Sequence, residues 1–134
     1  MLAPPEHEAD WGRHRHVASP RVGRWDEERI GVGGSPIRTS NGWLQFYHGA
    51  DRHTRYCSGA LLLDLNEPWR AIARTELPIH EPTESYERAG LMPEVAFNNG
   101  HIVRGDRVDL FYGAADQTTC AGMVSLSRVL DQLT

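Results

Sequence analysis

The sequence predicts an all-β fold, a partial β-propeller of about two and a half blades that ends in a short helix. From Ile30 onward, turn signals recur about every 8–12 residues and separate short segments rich in β-branched and aromatic residues. Two strand-rich units, residues 34–78 and 94–130, repeat one order of turn, aromatic strand, polar loop and apolar strand. Such repeats are typical of propeller blades, and the 134 residues make one domain.

The first unit, residues 34–78, is predicted to be a complete blade. Asn41-Gly42 is a dipeptide that favours a tight hairpin turn, and Asn66-Glu67-Pro68 breaks a long apolar run. Alternation in the segment after the hairpin places Leu44, Phe46 and His48 on one face of a strand. The predicted strands cover residues 35–39, 43–49, 56–65 and 71–75.

The second unit, residues 94–130, is predicted to be another blade. Residues 76–93 carry three prolines and predict a long irregular connection to it. Two turns are expected, at Asn98-Asn99-Gly100 and at Arg104-Gly105-Asp106, and Ser127 is expected to cap a helix over 127–133. The first 30 residues are predicted to form a partial blade and a connection. Predicted strands cover 95–97, 101–103, 108–112 and 120–126.

Composition excludes several classes of function. A net charge of −4 argues against a general nucleic-acid binder, and no apolar run approaches the ~20 residues that span a bilayer. Two cysteines without CxxC spacing exclude a disulfide framework and a cysteine zinc site, so a cytoplasmic location is expected. His14 and His16 share a strand face, but flanking arginines disfavour a cation there. No metal and no cofactor are predicted.

Seven short motifs follow one another along the chain. In order and spacing they resemble the C-terminal part of glycoside hydrolase family 130, the β-mannoside phosphorylases and related mannosidases. The resemblance extends from about Asp10 to Leu130. The motifs are residues 25–37, Gly42-Trp43-Leu44, Tyr47-His48-Gly49-Ala50-Asp51, Tyr56, residues 59–65, Tyr86-Glu87-Arg88-Ala89-Gly90 and Phe111-Tyr112-Gly113-Ala114-Ala115-Asp116.

The resemblance implies a five-bladed propeller and inverting cleavage of β-mannosides, with phosphate as co-substrate and mannose 1-phosphate as product. It places the general acid in the N-terminal half of the family's members, so no catalytic residue is predicted within these residues. β-Mannoside oligosaccharides and phosphate are the expected partners, and exposed blade faces predict self-association unless the first 30 residues cover one. Alternatives are a β-mannosidase that uses water, a non-catalytic carbohydrate-binding remnant, and a decayed fragment without a ligand.

The resemblance identifies Arg29, His48 and Tyr56 as phosphate contacts and Asp116 as a sugar contact. A cation, an imidazole and a phenol that converge on one point suit a phosphate, and a carboxylate accepts hydrogen bonds from sugar hydroxyls. All 14 basic residues are arginine, and arginine stands at position 29, where the family usually has lysine. Read alone, His48 fits a structural role, Arg29 a surface charge, Tyr56 a core-edge aromatic and Asp116 a turn residue.

Overall fold

The computed structural model describes residue 12 and residues 14–133. Eight strands and two short helices lie in this part of the chain, which confirms the predicted all-β class with a C-terminal helix. The strands are β1 (Arg29–Val32), β2 (Ile37–Arg38), β3 (Trp43–Ala50), β4 (Tyr56–Leu63), β5 (Ala71–Arg74), β6 (Ala96–Arg104), β7 (Arg107–Ala114) and β8 (Thr118–Ser125). The helices are α1 (Ser85–Arg88) and α2 (Leu126–Asp131).

The strands form two antiparallel sheets. The first has the order β1-β3-β4-β5, with β2 also paired to β3, and the second has the order β6-β7-β8. β1 was not predicted as a strand, and it brings the start of the first sheet to Arg29. No local sequence signal indicated a strand here, because the extended conformation of this segment depends on pairing with β3.

The main core lies between the two sheets. The predicted alternation of β3 holds, since Leu44 and Phe46 are fully buried on the inner side of that strand. Val129 of helix α2 and Leu133 in the turn that follows it complete this core. The buried side chains of the cluster come from both sheets, from this helix and from this turn: Leu44, Phe46, Ala60, Leu62, Val108, Leu110, Val129 and Leu133.

The outer face of the first sheet is covered by the chain that precedes β1. Ala18 and Trp25 pack on Tyr47, Leu61 and Leu63, and Trp25 stacks on Tyr47 with ring centroids 5.4 Å apart. The segment before β1 thus covers one open blade face, which is the condition under which the sequence predicted no self-association through that face. The second sheet keeps an exposed outer side, where Ile102, Phe111 and Met123 are among the exposed large apolar residues.

Three local predictions were wrong. Asn98-Asn99-Gly100 is not a turn: β6 runs through it with a bulge, because the ladder to β7 continues on both sides. The connection 76–93 is not wholly irregular, since it contains α1. The terminal helix is capped by Ser125, whose hydroxyl accepts a hydrogen bond from the Arg128 N–H, and not by Ser127.

Candidate functional site

Arg29 and Tyr56 meet at one end of the first sheet. Arg29 begins β1 and pairs with Ala50 at the end of β3, and Ala50 pairs with Tyr56 at the start of β4. Residues in one such row project from the same face of a sheet. The Nη1 group of Arg29 donates a hydrogen bond of 3.3 Å to the Tyr56 hydroxyl. Arg29 is exposed and Tyr56 is half-buried, so a solute reaches both.

His48 lies beside this pair on the same face of the sheet. It precedes Ala50 by two residues on β3, and its ring centroid is 6.3 Å from that of Tyr56. The imidazole stacks on Phe97 of the second sheet, with centroids 3.8 Å apart and an interplanar angle of 31°. The structure therefore brings together all three residues expected to contact phosphate.

Phe97 belongs to this group, and sequence reasoning missed it. Its ring lies 5.9 Å from the Tyr56 ring and fixes the imidazole of His48 from the side of the second sheet. A phenylalanine in a strand ordinarily indicates core packing, so its own position gives no sign of a ligand site. Only the contact between β6 and the first sheet reveals its place.

Burial keeps His48 neutral at physiological pH. Desolvation lowers the pKa of its imidazole from 6.5 to about 4. Its Nδ1 atom is buried and has no hydrogen-bond partner among the described residues. Arg29 is consequently the cation of the three side chains, and His48 offers hydrogen bonding without charge.

This buried imidazole makes stability depend on pH. Unfolded chains take up the proton near pH 6.5, whereas folded chains resist it down to about pH 4, so unfolding becomes easier as the pH falls through that window. We expect the free energy of unfolding to decrease from pH 6.5 to pH 4, and His48→Gln to reduce this slope. Burial also lowers the pKa of His101, so part of the slope remains. Urea titrations at several pH values measure it, with exposed His53→Gln as control; an equal slope in His48→Gln would contradict it.

Gly31 of β1 and Gly33, just after that strand, leave space for neighbouring side chains of the site. Gly31 pairs with His48 across β1 and β3, and a Cβ atom at Gly31 would lie 2.5 Å from His48 Nε2. A Cβ atom at Gly33 would lie 3.1 Å from the side chain of Asn98. The lack of side chains at Gly31 and Gly33 thus leaves space for the side chains of His48 and Asn98.

We expect Gly31→Ala to weaken phosphate binding through a displacement of His48. The new methyl group overlaps the edge of the His48 ring, which is held by its stack on Phe97 and must move away. Phosphate affinity measured by calorimetry should fall about tenfold, because the displaced His48 ring loses one neutral hydrogen bond to phosphate. Gly100→Ala is the matched control, because open space surrounds a Cβ atom there. Equal phosphate affinity in both variants would contradict this expectation.

Asp116 occupies a strained turn at the corresponding end of the second sheet. Ala115 and Asp116 have φ angles of 49° and 52°, and the Gln117 N–H donates to the Ala114 carbonyl. Two consecutive positive φ angles define a type I′ hairpin turn, which usually contains glycine or asparagine. Such strain in non-glycine residues persists only where surrounding structure imposes it, and it is frequent at functional sites.

The Asp116 carboxylate is exposed and has no hydrogen-bond or ion-pair partner among residues 12 and 14–133. Asp51 holds the equivalent position in the repeated motif of the first sheet, and its Oδ1 accepts from the backbone N–H groups of His53 and Arg55. Asp51 thus has the turn role that sequence reasoning offered as an alternative for Asp116. No side-chain contact joins Asp116 to Arg29, His48 or Tyr56 in the described structure.

Trp25 lies outside this group. Its ring is half-buried against Tyr47 and its Nε1–H group donates to the Glu76 carbonyl, so this tryptophan packs within the protein. The described residues contain no group of three or more His, Cys, Asp or Glu side chains arranged to hold a metal ion. They also contain no helix that is long and apolar enough to cross a membrane.

Comparison with known proteins adds to this geometry. The family model of beta-1,4-mannooligosaccharide phosphorylase, glycoside hydrolase family 130, matches residues 1–134. The chain is 43% identical over 123 residues to Beta-1,2-mannobiose phosphorylase of Listeria innocua, covering 92% of this chain and 35% of that protein. It is 41% identical over 120 residues to 1,2-beta-oligomannan phosphorylase of Thermoanaerobacter, covering 90% and 40%.

Solved structures agree with these relatives. The Listeria innocua enzyme in complex with beta-1,2-mannobiose superposes with a TM-score of 0.89 over 91% of this chain and 35% of its own. A glycoside hydrolase that targets beta-1,2 mannosidic linkages in Candida mannan matches with a TM-score of 0.76 at 28% identity, over 84% and 34% of the two chains. The chain therefore spans about a third of the length of these relatives, and its two sheets are blades of a β-propeller.

Proposed function

Because this chain belongs to glycoside hydrolase family 130, we propose that it contributes the phosphate and sugar contacts of a β-mannoside phosphorylase. The reaction cleaves a β-mannosidic bond with inversion and transfers mannose to inorganic phosphate, giving mannose 1-phosphate. The general acid comes from the part of the family's propeller that these residues do not match. The observation that carries the proposal is the convergence of Arg29, Tyr56 and His48 at one end of the first sheet.

The three side chains suit a phosphate by complementary means. Arg29 supplies a fixed positive charge and a planar fork of N–H donors, which favours paired contacts with phosphate oxygens. The Tyr56 hydroxyl already accepts a hydrogen bond from Arg29 and keeps its own O–H for an anion. His48, neutral at pH 7, adds one further hydrogen bond without a competing counter-ion. Phosphate is the co-substrate in this proposal, and no cofactor is required.

Asp116 is proposed to accept hydrogen bonds from mannose hydroxyls. Its exposed carboxylate has no partner among the described residues, and the strained type I′ turn holds it at the site end of the second sheet. We expect Asp116→Asn to weaken mannose binding about tenfold, because a charged acceptor becomes a neutral amide. The amide-signal shifts of a mannose titration measure this change. Asp51→Asn is the control, since the Asp51 carboxylate accepts hydrogen bonds from the backbone of its own turn. Equal mannose affinities in the two variants would contradict the sugar role of Asp116.

Hydrolysis is the second candidate, favoured by the similarity to a glycoside hydrolase acting on beta-1,2 mannosidic linkages. The group of Arg29, His48 and Tyr56 favours phosphorolysis instead, since an attacking water molecule needs no arginine to bind it. Product analysis separates the two reactions. Residues 14–133 would replace the matching third of the Listeria innocua enzyme, and β-1,2-mannobiose and β-1,4-mannooligosaccharides would be offered. Phosphate-dependent mannose 1-phosphate supports the proposal, whereas free mannose released without phosphate supports hydrolysis.

The proposal also includes the location of the chain, its self-association and its partners. A cytoplasmic location fits two free cysteines, of which Cys57 is buried and has its thiol pKa raised to about 12 by burial. Association through the exposed side of the second sheet fits the exposed Ile102, Phe111 and Met123. β-Mannoside oligosaccharides and phosphate are the proposed partners, and neither nucleic acid nor a membrane is expected.

A further inference from the structure

A short backbone segment joins the two halves of the proposed site. The Glu94 carbonyl accepts a 2.9 Å hydrogen bond from the Tyr56 N–H, on the phosphate side. The Val95 carbonyl accepts a 3.0 Å bond from the Ala115 N–H, next to Asp116 on the sugar side. Glu94 and Val95, called the bridge below, therefore touch both sheets within two residues. Glu94 has a φ angle of 60°, so the bridge is strained where it meets Tyr56.

One buried acid holds this bridge. The backbone carbonyl of Glu87 accepts a 3.0 Å hydrogen bond from the Val95 N–H. The side chain of Glu87 is buried, with 1% of the residue exposed, although it carries a carboxylate. Such burial is costly unless every acceptor oxygen is satisfied, so the residue must be fixed firmly by its partners.

Four donors surround the Glu87 carboxylate. The Tyr112 hydroxyl of β7 donates at 2.7 Å to Oε1, and His80 Nε2 lies 3.2 Å from the same oxygen. The N–H groups of Thr83 and Glu84 donate to Oε2 at 2.7 and 2.8 Å. Burial raises the pKa of Glu87, but these hydrogen bonds outweigh it and hold the pKa below 4.5. Glu87 thus ties α1 to the middle of the second sheet.

We propose that Glu87 is a positioning residue, which fixes the bridge and through it sets the Asp116 turn against Tyr56. The inference rests on the proposed function, because the value of this alignment is to present phosphate and sugar contacts together. The turn has a second tie to the same connection, since the Met92 N–H donates to the Ala115 carbonyl at 3.0 Å. Gly90 also packs closely against this turn, because a Cβ atom at Gly90 would lie 2.6 Å from the Cβ atom of Ala115.

Glu87→Gln tests the assignment, because it keeps the shape and removes the charge that all four donors favour. Amide hydrogen exchange of the full chain would be followed at Tyr56, Val95 and Ala115, whose N–H groups make the three bonds of the bridge. We expect exchange at these amides to rise about tenfold or more, while amides in the β3–β4 ladder change little. Mannose affinity should fall in parallel. Tyr112→Phe, which removes one donor only, should show a smaller change in the same direction.

Asp109→Asn is the matched control. Asp109 is also a buried carboxylate of β7, 7% exposed, but it pairs with Arg104 and Arg107 on the other side of the sheet. If Glu87→Gln and Asp109→Asn raise exchange equally across both sheets, Glu87 contributes only general stability and the inference is overturned. If phosphate and mannose leave every amide of the unmodified chain unchanged, the proposed function fails, yet the exchange pattern still decides whether Glu87 holds the bridge.

Discussion

Replacement of Asp26 by alanine should lower the free energy of unfolding by about 3–5 kcal/mol, the usual cost of breaking a buried ion pair. Asp26 is completely buried between the first sheet and the chain that covers it. Its carboxylate accepts hydrogen bonds from Arg21 at 2.9 Å, from Arg74 at 2.6 Å and from the Tyr47 hydroxyl at 2.8 Å. Without it, Arg74 loses its carboxylate partner, and Arg21 keeps only its pair with Glu76 at 4.0 Å.

Urea denaturation of the two proteins side by side measures this loss. Glu67→Ala is the control, because Glu67 lies in an exposed turn and its pair with Arg70 has a separation of 3.7 Å. Exposed pairs of this kind contribute about 0–1 kcal/mol. A loss below about 1 kcal/mol for Asp26→Ala would mean that the covering segment is not held by this carboxylate.

Replacement of Arg29 by alanine should have the largest effect on ligand binding. Arg29 is the cation of the three side chains proposed to contact phosphate, because burial lowers the pKa of His48 to about 4 and leaves its imidazole neutral. A hydrogen bond to a charged partner is worth about 1.5–3 kcal/mol, so phosphate affinity should fall about 10- to 150-fold. Stability should change little, since Arg29 is exposed and its described contact is with Tyr56.

Two comparisons make the Arg29 result specific. Arg29→Lys keeps the charge but loses the planar fork, so it should lose less phosphate affinity than Arg29→Ala does. Arg128→Ala removes one positive charge from the exposed surface of α2 and should leave phosphate affinity unchanged. Isothermal titration calorimetry with phosphate measures all three variants. Equal losses in Arg29→Ala and Arg128→Ala would indicate a general charge effect and contradict the site.

The sequence predicted the strands whose pattern is local. β3 and β4 were placed within one or two residues, because alternation and a long apolar run are direct consequences of being inner strands. The Asn98-Asn99-Gly100 segment misled for the opposite reason. Its residues favour a turn, but pairing with β7 on both sides keeps them in one strand and absorbs the extra residue as a bulge.

The site was predictable in part. Motifs in register identified Arg29, His48, Tyr56 and Asp116, of which the structure gathers the first three. The supporting carboxylates were not predictable, because nothing near Asp26 or Glu87 in the chain signals burial. Each has a partner that is distant in the chain, since Arg74 is 48 residues from Asp26 and Tyr112 is 25 residues from Glu87. In each sheet a strand tyrosine donates a hydrogen bond to a buried carboxylate, Tyr47 to Asp26 and Tyr112 to Glu87. Only the three-dimensional structure reveals this arrangement.

Phosphate binding to the unmodified chain tests the central claim most directly. Side-chain NMR signals of Arg29 Nε–H and of the His48 ring would be followed as phosphate is added, with chloride at equal ionic strength as reference. The account predicts saturable shifts of both signals at one common affinity, with a rise in melting temperature that follows the phosphate concentration. Signals that do not respond to phosphate, or respond equally to chloride, in a chain that is folded would contradict it.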